Sequence, residues 1–214
     1  MIISKKPKLK ALFTSLICIF LFTSACAENT IKIMLYGDSL MAGYGLSQNE
    51  NLASEIVRNF EDSNFSVSII NASISGNTSK NGLSRVDWSI ADKPNIVVVC
   101  LGANDMLRGL NPFLIMDNLD SIITKFMQSN TVVIIAGMQS PESMGPDYKI
   151  QFDKIYPKLA KKYDLIFMPF LLKDIALEKK NLQADYKHPN EKGIKIMASN
   201  LHPYLLESIT RLER

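Results

Sequence analysis

Five short apolar runs punctuate the chain, and between them apolar residues recur at helical spacing. The runs cover residues 31–36, 67–71, 96–101, 132–137 and 165–169. The third and fourth are rich in Val and Ile and do not alternate with polar residues. Such runs suit strands buried on both faces of a parallel sheet. Leu52, Ile56, Val57 and Phe60 form one helical face. Ile115, Leu119, Ile122 and Phe126 form a second, with Asn111 placed as N-cap and Pro112 at the first helical position. Tyr148, Phe152, Ile155, Leu159 and Tyr163 form a third, which Pro157 should bend or interrupt. Ile194, Met197, Leu201, Leu205 and Leu212 close the chain as a last helix, where Pro203 predicts a kink. Strands alternating with helices predict an α/β fold with right-handed crossovers around one parallel sheet. No linker, internal repeat or low-complexity stretch divides the chain.

The first 27 residues follow a different pattern. Lys5, Lys6, Lys8 and Lys10 make a basic start, residues 11–23 are uncharged and apolar, and Ala25-Cys26-Ala27 offers the small residues a signal peptidase reads. This predicts a secretory signal peptide, 1–27, ahead of a single domain, 28–214. The apolar run is short for a membrane span of about 20 residues. An uncleaved anchor and lipid attachment at Cys26 are the alternatives; Thr23 stands where a lipoprotein signal carries Leu. The expected destination is therefore the periplasm or the exterior of a bacterial cell, with no stable membrane span after cleavage.

Removing the leader changes the charge balance. It takes four of the 24 basic residues and none of the 21 acidic ones, leaving 20 against 21 and a net charge of −1. The basic character of the full chain thus implies no nucleic-acid partner. Cys18 and Cys26 also leave, so Cys100, inside an apolar run, has no partner for an intramolecular disulfide and reads as a small core residue.

Candidate chemistry clusters just after the strands, where ligands bind in open α/β sheets. Gly37-Asp38-Ser39-Leu40 follows the first run. A serine on a sharp strand-to-helix turn is how hydrolases present a nucleophile, although Met41 breaks the Gly-x-Ser-x-Gly pattern. The alternative is a turn in which Asp38 or Ser39 merely caps a helix. Asn71-Ala72-Ser73-Ile74-Ser75-Gly76-Asn77-Thr78 follows the second run, Gly102-Ala103-Asn104-Asp105 the third, and Asp185-Tyr186-Lys187-His188-Pro189 comes well after the fifth. Only two histidines are present. His202 lies inside the last helix, as a surface or packing residue. His188 lies in a polar loop three residues after Asp185. Acyl transfer needs a base for the serine, an orienting carboxylate and donors for the oxyanion. Ser39, His188, Asp185 and the two glycine-asparagine loops offer each. No metal and no cofactor are expected: the histidines are separated, cysteines are unpaired, and neither His-Glu-x-x-His nor a Walker loop occurs.

These four blocks, in this order, resemble the GDSL or SGNH hydrolases, most closely the branch of bacterial thioesterase I, lysophospholipase L1 and arylesterase. Tyr156-Pro157-Lys158-Leu159-Ala160 extends the similarity, which spans essentially the whole mature chain. The resemblance implies a three-layer α/β/α sandwich with a five-stranded parallel sheet, the flavodoxin-like SGNH fold. It implies Ser39 as nucleophile, His188 as general base and Asp185 as its orienting partner. It implies an oxyanion hole from the N–H groups of Ser39 and Gly76 and the Asn104 side chain. Asp38 would pin the turn, and Asp105 would cap or brace a loop.

The implied activity is hydrolysis of acyl esters, thioesters or lysophospholipids by a monomer. A carbohydrate O-acetyl esterase is the alternative on the same scaffold, and a binding protein with a vestigial triad is a third reading. Leu107, Met138, Pro141 and Met144, in the loops after the third and fourth runs, are the candidates for contact with an acyl chain, although apolar residues there could equally cover the sheet edge.

Overall fold

β1 (Ile31–Gly37) lies inside the sheet with a neighbour on each side in the computed structural model, which describes residues 30–213. The proposed leader, 1–27, lies outside the described residues. β1 is followed by α1 (Ser39–Ala42), α2 (Leu52–Phe60), β2 (Val67–Asn71), α3 (Ser79–Ile90), β3 (Ile96–Cys100) and α4 (Ala103–Leu107). Then come α5 (Pro112–Gln128), β4 (Val132–Ala136), α6 (Pro146–Asp153), α7 (Ile155–Tyr163), β5 (Ile166–Met168) and α8 (Glu191–Leu212). The sheet order is β2-β1-β3-β4-β5, and every pairing is parallel. Helices α2 and α8 pack together on one face, and α3, α5 and α7 on the other. This is the three-layer α/β/α sandwich that the alternation of strands and helices predicts.

Burial explains why the strands are legible in the sequence. All five residues of β3 are buried, as are four of the five in β4, so neither strand has a polar side to alternate with. Leu35 of β1 stands level with Asn71 of β2 and Val98 of β3, and Gly37 with Cys100. The C-terminal ends of β1, β2 and β3 therefore finish side by side. Strand order reverses between β1 and β3, and the crevice beyond that reversal is where such sheets hold ligands. Cys100 is buried in the core, and burial pushes its thiol well up.

The two prolines expected to disturb helices occupy different places in them. The helical pattern over 148–163 is interrupted, at Lys154 between α6 and α7, with Pro157 the third residue of α7. At that position a backbone N–H has no acceptor within the helix, so proline costs little. Pro203, in contrast, lies inside α8, which runs unbroken across it.

Helix α3 has no counterpart in the apolar periodicity. Its buried positions are Ser79, Gly82, Val86 and Ser89, while its one tryptophan, Trp88, is exposed. Small residues let it sit close to the sheet. A Cβ on Gly82 would come within 2.3 Å of Leu101 Cδ1, and Tyr36 Oη donates to the Gly82 carbonyl at 2.6 Å. A start signal is present instead: Thr78 and Asn81 form a reciprocal capping box.

Candidate active site

The turn after β1 is built by Asp38. Its side chain accepts the Leu40 N–H at 3.1 Å and caps α1, making Ser39 the first residue of that short helix. Asp38 thus acts as the helix cap, and the cap places Ser39 at the start of α1. The Ser39 hydroxyl lies 2.8 Å from His188 Nε2, across 149 residues of chain. His188 Nδ1 lies 2.5 Å from Asp185 Oδ2. The other Asp185 oxygen accepts the N–H groups of Lys187 at 2.9 Å and His188 at 3.1 Å. The imidazole contact first, then these two N–H groups, hold the Asp185 carboxyl well below the usual carboxylate range.

The histidine loop is tied to the serine turn by Gln183. Its Nε2 donates to the Tyr44 carbonyl at 2.7 Å and to the Pro189 carbonyl at 2.9 Å, while its backbone N–H donates to the His188 carbonyl at 2.8 Å. The Tyr44 ring stacks on the imidazole, with centroids 4.5 Å apart and planes 37° from parallel. No motif marks either residue. The available signal was position alone: Tyr44 lies five residues after Ser39, and Gln183 two before Asp185.

Gly76 sits on a loop held from behind by Arg85. That guanidinium donates to Asn77 Oδ1 at 2.9 Å and to the Ala72 carbonyl at 2.6 Å, and lies 4.1 Å over the Tyr36 ring. Gly76 has φ +80°, a left-handed conformation that favours glycine. No acceptor is bonded to the N–H of Ser39 or of Gly76 among the described residues. The Asn104 amide donates to Asp38 Oδ2 at 3.3 Å and to the Asn77 carbonyl at 3.1 Å. Asp38 is 1% exposed, and burial raises its carboxyl to about 6 despite the Leu40 and Asn104 hydrogen bonds.

Asp105 braces the neighbouring loop. Its two oxygens accept the Ser79 N–H at 2.7 Å and the Ser79 hydroxyl at 2.6 Å, fixing the start of α3 against α4. His202 packs on Phe60, with centroids 4.7 Å apart, far from this constellation along α8.

Ser39, Gly76, Asn104 and His188 all line one cavity of about 520 Å³. Its remaining wall is largely apolar, with Met106, Leu107, Met138, Phe170 and Leu172. Of the four residues expected to contact an acyl chain, Leu107, Met138 and Pro141 line it. Met144 does not. It belongs to a 3₁₀ turn over 142–144 and packs, half-buried, against the core, with Gly145 leading the chain into α6 after it. Met106 and Phe170 belong to the wall and were not singled out by the sequence.

A protein-family model described as "GDSL-like Lipase/Acylhydrolase family" matches residues 35–196, which include every residue of this constellation. The chain belongs to the GDSL-like lipase/acylhydrolase family. Esterase TesA of Pseudomonas aeruginosa is 32% identical over 199 residues, covering 92% of this chain and 94% of that protein. The thioesterase 1/protease 1/lysophospholipase L1 of Escherichia coli strain K12 is 34% identical over 176 residues, 82% of each chain. Among solved structures, the psychrotrophic esterase EstA from Pseudoalteromonas, inhibited by monoethylphosphonate, superposes with a TM-score of 0.79 at 29% identity, over 84% of this chain and 98% of that one. As a GDSL-family hydrolase the chain is a serine esterase, and the loops that carry the family's blocks are those that meet at the cavity.

Proposed function

We propose that this GDSL hydrolase cleaves acyl esters and thioesters through an acyl-enzyme on Ser39. The observation that carries this is the continuous line from Asp185 through His188 to the Ser39 hydroxyl, with 2.5 and 2.8 Å between its members, at the wall of an apolar cavity. Ser39 attacks the carbonyl while His188 Nε2 takes its proton. The same nitrogen then returns the proton to the departing alcohol or thiol, and water, activated the same way, releases the acid. Asp185 holds the imidazole through Nδ1 and stabilises its charged form.

The developing oxyanion is received by the free N–H groups of Ser39 and Gly76 and by the Asn104 amide. One Asn104 hydrogen must leave the Asn77 carbonyl to reach it, while Asp38 keeps the other. A single donor of this kind contributes roughly 100- to 1000-fold in turnover.

The apolar wall favours a fatty acyl group over the acetyl-sugar alternative, which asks for polar contacts around a short acyl site. The basic, apolar and small-residue regions of 1–27 support export of the mature enzyme to the periplasm or beyond. Hydrolysis of p-nitrophenyl esters from acetyl to palmitoyl tests the reading, with Ser39→Ala alongside. Turnover that continues beyond acetyl and disappears in the variant is expected. Turnover of acetyl esters alone would shift the assignment to the carbohydrate esterase.

A further inference from the structure

A second cavity, of about 390 Å³, adjoins the first. Met168, Pro169 and Tyr204 supply its apolar surface, with Lys173 and Asn200 as its polar members. Two residues line both spaces, Phe170 and Gln139. Gln139 is an exposed side chain, whereas Phe170 is half-buried. Phe170 is therefore the firm part of the partition.

Its position is set by the chain. β5 ends at Met168, Pro169 follows, and the Gly137 N–H and carbonyl are bonded to the Met168 carbonyl at 2.8 Å and the Leu171 N–H at 3.0 Å. Those bonds fix the backbone on either side of Phe170 against the end of β4. The ring thus has a rigid base at the point where the two spaces meet. Asn200 and Tyr204, one turn apart on α8, also line the second space, and Asn200 donates to the Lys173 carbonyl at 3.0 Å.

We propose that this second chamber is a latent extension of the acyl site, closed by Phe170, so that Phe170 sets the longest acyl chain the enzyme accepts. The inference rests on the esterase reading above. The ligand is the distal methylene segment of a fatty acyl ester or thioester, beyond the part the first cavity holds. Met168 and Tyr204 would take its apolar surface, and Lys173 and Asn200 would remain toward water. Each methylene moved out of water into such a chamber is worth up to about fourfold in binding.

The test is the ratio of kcat/KM for p-nitrophenyl dodecanoate over butanoate. Phe170→Ala should raise that ratio by about 10-fold or more, the gain of two or three sheltered methylenes. Phe170→Leu, a milder truncation, should give a smaller rise in the same direction. Adding Asn200→Phe to the Phe170→Ala variant fills the second chamber without touching the first and should cancel the gain. A ratio unchanged in folded Phe170→Ala and Phe170→Leu proteins would overturn the inference. So would a gain that survives Asn200→Phe, because the extra chain would then lie elsewhere. Both results leave the esterase reading standing if wild type turns over butanoate and Ser39→Ala does not. A wild type inert toward every ester and thioester would instead remove that reading, and this inference with it.

Discussion

Asp38 accepts a hydrogen bond from the Asn104 amide, 3.3 Å away, while lying almost wholly out of water. The carboxyl that caps the serine turn also orients the side chain proposed to receive the oxyanion. That position has a cost, because burial raises the carboxyl from 3.8 to about 6. The folded protein then holds this proton more tightly than the unfolded chain. Stability falls as pH rises between those two values and stays lower above them, by on the order of 3 kcal/mol. Asp38→Asn keeps an acceptor for the Leu40 N–H and removes the charge. The variant should be more stable than wild type at pH 8, with the difference shrinking toward zero near pH 4. Its kcat should fall, since the amide oxygen is taken by the Leu40 N–H and the remaining NH2 offers the Asn104 amide no acceptor. Denaturant unfolding of both proteins across that range reads the effect. The opposite linkage of Asp185, whose lowered carboxyl stabilises the fold above its ordinary range, is common to both proteins and cancels. A stability difference independent of pH would contradict the argument.

Asp105 is buried with both oxygens committed to Ser79. Asp105→Ala leaves two donors without an acceptor in the interior. The expected loss is about 3 kcal/mol. For a domain of this size, that lowers the melting temperature by roughly 6–12 °C. The folded fraction should still react with a serine-directed probe at low temperature. Complete loss of reactivity in a folded variant would make Asp105 a participant rather than a brace.

Gln183 holds the histidine loop to the serine turn through two backbone carbonyls. Gln183→Ala should lower kcat by about 10-fold with little change in KM, since no contact with substrate is lost and only the placement of His188 is loosened. Tyr44→Ala removes the ring from the imidazole face and should act in the same direction, whereas Tyr44→Phe, which keeps the ring, should be close to wild type. An increase in KM at constant kcat would point to substrate contact instead.

The two histidines should separate cleanly. His188→Ala should cost at least about 10⁴-fold in kcat. His202→Ala should stay within about twofold in turnover, and lose some stability from its packing on Phe60. Equal damage in steady-state assays would contradict the assignment.

What could be read from the sequence divides along physical lines. The strands were legible because burial on both faces removes alternation, as in 96–100, and their ends matched to within one residue or so. The helices with wide apolar faces were equally plain. Helix α3 was not, since a helix that packs through Ser79, Gly82 and Ser89 leaves no apolar stripe, and its capping box at Thr78 and Asn81 was the only mark. Ser39, Asp185 and His188, which the structure brings within hydrogen-bonding distance of one another, are legible from residue type and position after strands. Residues that act through geometry were missed. Gln183 works through backbone carbonyls, Tyr44 through a stacked ring, and Phe170 through the meeting of two cavities, and none of these relations has a spacing in the chain. Met144 shows the converse: a flexible apolar side chain suits an acyl site, yet Met144 does not line the cavity and packs half-buried against the core.

The most direct measurement of the central claim is covalent trapping. Reaction of the protein with a fluorophosphonate, followed by peptide mass spectrometry, should give one adduct, on Ser39. Labelling should slow by orders of magnitude in His188→Ala and be absent in Ser39→Ala. An adduct on another serine, such as Ser73 or Ser75 in the neighbouring loop, or undiminished labelling of Ser39→Ala, would contradict the account.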